Sequence, residues 1–206
     1  GGLVEQVEKE EIIRFYEDRY QRYGYDHKTV GWSSWEQQAL RFRVLSEIAP
    51  LHDSTICDIG CGFGDLLDYL RANAWLRAYY GYDLSPSLIR EAGNRHLQTD
   101  CAFAVGDILE EGFQGPADYF MASGTFNYRM RENIQFTRRM LAKMFALARK
   151  GVAVNFLSTY VDYQDPINYH HDPGEIFAIA KQLTRFVTLR HDYPLWEFTL
   201  YLYKAP

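Results

Sequence analysis

Apolar residues recur at three- to five-residue intervals from the start of the chain. Leu3, Val7, Ile12, Ile13, Tyr16, Tyr20 and Tyr23 alternate with Glu and Lys, the pattern of an amphipathic helix that Gly24 would end. Residues 25–32 read as a loop. Ser34 and Gln37 fit a capping box, and behind them Trp35, Ala39, Phe42, Leu45 and Ile48 trace a second helix that stops before Pro50. The period then changes. Short apolar runs bounded by turn residues predict strands over 54–59, 75–82, 101–105, 117–122 and 151–157. Helices are predicted between them over 65–70, over 87–95 behind Ser85-Pro86, and from Ile134 along Phe136, Met140, Leu141, Met144, Phe145 and Ala148. Alternating strands and helices predict an α/β fold, a mostly parallel sheet covered on both faces. The end departs from this pattern. Residues 185–189, a turn near Asp192-Tyr193-Pro194 and residues 196–203 read as a hairpin whose last strand is apolar enough to be buried on both faces.

Composition narrows the classes. A chain of 206 residues suits one domain. Lys and Arg number 22 against 27 Asp and Glu, a net charge of −5, so no broad electrostatic footprint for nucleic acid or an anionic membrane is present. The cluster Arg138, Arg139, Lys143, Arg149 and Lys150 reads as a solvated helix face. Cys57, Cys61 and Cys101 are an odd number in apolar surroundings, and read as buried thiols in a reducing, cytoplasmic compartment. Cys57 and Cys61 lack the second ligand pair of a zinc site, so no metal is expected.

The chemistry concentrates in Asp58-Ile59-Gly60-Cys61-Gly62-Phe63-Gly64. Alternate glycines let a strand-to-helix loop approach a ligand closely. Asp83 ends the next predicted strand and is placed to accept both hydroxyls of a ribose. A dinucleotide fingerprint needs a glycine at position 65, where the chain has Asp65. A carboxylate at the helix start also opposes a pyrophosphate. Asp58, Asp65 and Asp83 together suit a ligand carrying a ribose and positive charge.

Asp58-x-Gly60-x-Gly62-x-Gly64 resembles motif I of the class I S-adenosylmethionine-dependent methyltransferases. Asp83-Leu84-Ser85-Pro86 resembles motif II, and Gly106-Asp107-Ile108 resembles the third motif. Residues 119–123 resemble the fourth strand, and the C-terminal hairpin matches the antiparallel ending. The resemblance implies a Rossmann-like, doubly wound, seven-stranded sheet with an antiparallel C-terminal strand. Residues 54–206 would be the cofactor-binding core and residues 1–50 a helical lid.

It also implies S-adenosylmethionine as cofactor. Gly60, Cys61, Gly62 and Gly64 would pass under its methionine part, with Asp58 near the amino group. Asp83 would hold the ribose. Asp107 would accept from the adenine amino group, with Gly106, Ile108 and Leu84 at the ring, and Ser123-Gly124-Thr125 would line the methyl end. The acceptor would meet the lid and the segments after strands four and five: Tyr16, Tyr20, Tyr25, Trp32, Asn127, Arg129 and Tyr169. His170 and His171 precede a helix start capped by Asp172, which disfavours imidazolium and leaves a neutral base. A surface pair bonded to its own loop is the other reading. Tyr128 completes the catalytic candidates. The function implied is methyl transfer to N or O of a small-molecule acceptor, without nucleic acid or membrane as partner. A methyltransferase for protein or RNA, and a non-catalytic cofactor-binding subunit, stay open.

Overall fold

The computed structural model describes residues 2–113 and 115–206, with side chains from Glu5 onward. The Leu3 side chain therefore lies outside the described residues. Two helices lead, α1 (Gly2–Tyr23) and α2 (Trp35–Ser46). Gly24 ends α1 with φ +61°, and the Ser34 side chain accepts from the Gln37 amide at the start of α2. The α/β part runs β1 (Ser54–Ile59), α3 (Asp65–Asn73), β2 (Leu76–Asp83), α4 (Pro86–Arg95), β3 (Cys101–Val105), β4 (Ala117–Ala122), α5 (Asn133–Leu147), β5 (Ala148–Leu157), α6 (Pro173–Leu183), β6 (Phe186–Arg190) and β7 (Glu197–Tyr203).

The seven strands pair in the order β3-β2-β1-β4-β5-β7-β6. β3, β2, β1, β4 and β5 are parallel neighbours, and β7 inserts antiparallel between β5 and β6. Alternate residues feed two cores, as a period of two requires. Cys57, Ile59, Phe120, Ala122, Val152, Val154 and Phe156 face α5 and α6. Ile56, Tyr79, Tyr119, Met121 and Ala153 face α2 and α3. Glu197 through Leu202 are buried, so β7 is an interior strand, whereas Trp196 lies before it and is exposed. Arg149 and Lys150 belong to β5 and not to a helix face. Cys57 and Cys61 are buried thiols, but Cys101 on edge strand β3 is only half-buried.

The chain runs outward from β1 to β2 and β3 on one side, and to β4 and β5 on the other. The crevice that this reversal opens lies at the carboxyl ends of β1 and β4.

Candidate active site

Each parallel strand delivers its site residues just past its carboxyl end. β1 leads into the glycine loop, where Gly60, Gly62 and Gly64 all have positive φ. Asp83 closes β2 and ties that strand to the loop: one carboxylate oxygen accepts from the Gly62 amide at 2.9 Å, the other from the Ser85 amide at 3.0 Å. A carboxylate has about four acceptor sites, so Asp83 keeps acceptor capacity beyond these bonds. Burial pushes the Asp83 carboxyl up, against the backbone hydrogen bonds. Asp58 is buried in the floor, accepts from the Tyr79 hydroxyl at 2.5 Å, and is pushed up to about 7 by burial, with Asp83 and Asp65 adding to it. The loop after β4 is fixed to its neighbours: Thr125 donates to the Ile59 carbonyl at 2.9 Å, and buried Asn155 accepts from the Gly124 amide at 2.8 Å.

α1 crosses above this floor and roofs a cavity of about 710 Å³. Its lining stripe is Glu5, Glu8, Lys9, Ile12, Tyr16 and Arg19, one face of the helix. Two polar clamps hold it. Glu17 accepts from Ser85 and Ser87 at the start of α4, and these bonds outweigh burial and hold its carboxyl low. Lys9 reaches Glu110 at 2.7 Å and Asp107 at 3.3 Å, partners that outweigh desolvation and raise its ammonium. Beyond the strand ends the cavity continues between α1 and the start of α5, past Tyr128, Met130, Gln135, Phe136 and Ile167.

Comparison with known proteins fits this geometry. Residues 56–151 match the family model for a methyltransferase domain. A Mycobacterium tuberculosis protein with a provisional methyltransferase name, Rv1506c, is 35% identical over 174 residues, which span 79% of this chain and 99% of that protein. The chain belongs to the class I S-adenosylmethionine-dependent methyltransferases. Among solved structures, magnesium protoporphyrin IX methyltransferase from Synechocystis with bound S-adenosylhomocysteine superposes with a TM-score of 0.69. It is 16% identical and covers 98% of this chain and 100% of its own. Human N-acetylserotonin methyltransferase with bound S-adenosylmethionine reaches a TM-score of 0.63 at 14% identity, over 95% of this chain and 58% of its own.

The cofactor of this methyltransferase is S-adenosylmethionine, and the donor set suits it. Asp83 offers two oriented acceptors for ribose hydroxyls, and buried Asp58 has no cationic partner of its own among its described contacts. A ligand ammonium would supply one. Asp107 accepts from the Leu109 amide at 2.8 Å and shares Lys9 with Glu110, so its carboxylate is held at the expected adenine end. Of the expected cofactor residues, Asp58, Gly60, Cys61, Gly62, Asp83, Leu84, Gly106, Asp107, Ile108, Ser123 and Gly124 line the cavity. Gly64 does not. It starts α3 at φ +80°, and a Cβ there would sit 2.8 Å from the Phe103 ring and 2.9 Å from His96. Its glycine serves the packing of α3.

The acceptor-side expectations divide. Tyr16, Trp32, Asn127 and Tyr128 line the cavity. Burial and Asp83 push the Tyr16 phenol up to about 12, so it stays protonated. Tyr20, Tyr25, Arg129 and Tyr169 are directed elsewhere. Tyr20 donates to Glu91 and Tyr25 to Asp65. Arg129 donates to the Pro166 carbonyl and lies 5.5 Å from the Tyr169 ring, which packs edge-on against His171. His170 and His171 lie outside the cavity lining, which removes the geometric ground for a base there. His171 is fully buried, with Nε2 3.0 Å from the Thr137 hydroxyl, and is pushed down to about 4 by burial and by His170. His170 lies 2.7 Å from the Ser158 carbonyl. The helix start at Asp172 is as expected, its carboxylate accepting from the Glu175 amide at 2.9 Å.

Gln38, Arg41 and Lys9 line the cavity and were not among the sequence candidates. A signal for two of them exists: Gln38 and Arg41 continue the buried stripe of Leu45 and Ile48, where an amphipathic helix should carry apolar residues.

Proposed function

We propose that this methyltransferase acts on a small-molecule acceptor, at nitrogen or oxygen, in a cytoplasmic setting. The observation that carries this reading is the cavity of about 710 Å³ beneath α1, whose lining includes apolar Ile12, Met130, Phe136 and Ile167 beside the glycine loop. A cavity roofed by a helix suits a compact acceptor better than a loop of protein or RNA. Solved relatives of the same fold include enzymes named for magnesium protoporphyrin IX and N-acetylserotonin, which supports the same choice.

Bound S-adenosylmethionine supplies the methyl group on an electrophilic sulfonium. The chain's part is to position, shield and handle protons. Asp58 holds the cofactor's ammonium and Asp83 its ribose, while Ile12, Phe136 and Met130 exclude water from the acceptor side. Tyr16 and Tyr128 add phenol groups to the same lining. No histidine lines the cavity among the described residues. This favours an acceptor atom that already presents a lone pair, a neutral amine or a carboxylate. The test is a panel of amines, carboxylic acids and phenols with methyl-labelled cofactor. Label incorporated into an amine or acid supports the reading, and transfer confined to protein or RNA substrates overturns it.

A further inference from the structure

Arg41 stands out among the cations that line the cavity. Lys9 is tied to Glu110 and Asp107, Arg139 to Glu5 at 2.7 Å, and Arg19 donates to the Lys28 carbonyl at 2.8 Å. Arg41 on α2 is 8% exposed, and its Nε donates to both carboxylate oxygens of Glu197, at 2.9 and 2.6 Å. Its Nη1 is buried with no partner among the described residues. A buried, unpaired donor of a guanidinium is costly, and an anionic oxygen removes that cost.

Its surroundings tell which end of the cavity it serves. The guanidinium stacks 4.2 Å from the Trp32 ring. Trp32 in turn lies on Gly124, where a Cβ would come within 2.5 Å of the indole, so only glycine admits the ring. Thr125, the next residue, abuts Gly60 and bonds to the Ile59 carbonyl. Arg41, Trp32, Gly124 and Gly60 thus form one contiguous corner at the glycine loop, away from Lys9 and Asp107. An amino-acid end bound in this corner carries an ammonium, for which Asp58 is suited, and a carboxylate, which the buried carboxylates Asp58 and Asp83 would repel. Glu197, at the start of β7, fixes the guanidinium through Nε and takes up no other of its donors among the described contacts, so Arg41 brings the unpaired donor to this corner of the cavity.

We propose that Arg41 receives a carboxylate at the glycine-loop corner, that of the cofactor's amino-acid end, with Glu197 and Trp32 as its positioning residues. This rests on the methyltransferase reading of the site. The experiment compares S-adenosylmethionine with decarboxylated S-adenosylmethionine by calorimetry. Wild type should prefer the former by roughly 10- to 100-fold, the span of one or two charge-assisted hydrogen bonds. Arg41→Met should lose that preference, weakening S-adenosylmethionine by the same factor while leaving the decarboxylated ligand within about threefold.

Because Arg41→Met strands a buried Glu197 charge, the double variant Arg41→Met with Glu197→Gln is measured beside it and should show the same loss of preference. Equal weakening of both ligands, or unchanged binding of both, overturns the proposal. So does unchanged cofactor binding with a raised KM for a carboxylate acceptor, which would move the carboxylate to the acceptor. A wild type that binds the decarboxylated ligand but gains nothing from the carboxylate overturns this proposal alone. A wild type that binds neither ligand overturns it together with the reading beneath it.

Discussion

Asp58→Asn separates what the buried carboxylate costs the free protein from what it gives the cofactor. Asp58 is 3% exposed, and burial displaces its carboxyl from 3.8 to about 7. The folded chain therefore keeps a proton there that the unfolded chain releases, and stability falls as pH rises between about 4 and 7. The displacement corresponds to ~4 kcal/mol once the group is fully ionised in both states. The amide that replaces the carboxyl stays neutral and still accepts from the Tyr79 hydroxyl, the one described side-chain bond to this group. In urea titrations, the variant should gain about 2–4 kcal/mol on wild type between pH 4.5 and 8.5. Parallel pH profiles would refute the assignment of a costly buried charge. The same variant should bind S-adenosylmethionine at least about tenfold more weakly at pH 8, since the ligand ammonium loses its carboxylate partner.

Replacing both His170 and His171 with Ala should lower Tm by several degrees while kcat, measured below the transition, stays within about threefold of wild type, because His171 fills core and neither ring lines the cavity. A much larger fall in kcat would restore them as candidate bases. Lys9→Met should weaken the hold of α1 over Asp107 and Glu110, seen as faster amide exchange in α1 with little change in Tm. Unchanged exchange would show that Glu17 and packing hold the helix alone. Gly64→Ala should destabilise the protein by about 1–3 kcal/mol through its positive φ and the Phe103 contact, with cofactor affinity little changed in the folded fraction. A selective loss of affinity would return Gly64 to the binding loop.

The parts of the site that follow strand ends were legible in the sequence. Period-two runs ending in Asp58-Ile59, Tyr82-Asp83 and Val105-Gly106-Asp107 mark where a parallel sheet delivers its residues, and the structure brings these ends to one crevice. What the sequence left open is set by how helices and loops rotate onto that sheet. The helical period of α1 was right, yet its apolar positions do not all share the inner face: Tyr16 lines the cavity, Tyr20 turns to Glu91, and Val7 is 48% exposed. In the segment after β5, Tyr169 is the residue the sequence places at the acceptor, but it packs edge-on against His171, and Asp165, Ile167 and Asn168 supply that segment's lining instead. Arg41 is not legible from the sequence because a charged residue within an amphipathic helix reads as surface, and its partner, Glu197, lies at the far end of the chain.

On this reading the glycine loop and Asp83 form the S-adenosylmethionine site. Calorimetric titration of S-adenosylhomocysteine into wild type and Asp83→Ala, with matched Tm controls, tests it most directly. Wild type should show saturable one-to-one binding, and the variant, which loses a fixed, charge-assisted acceptor for the ribose, should bind at least about tenfold more weakly. No saturable binding by wild type, or equal affinity in the two proteins, would contradict it.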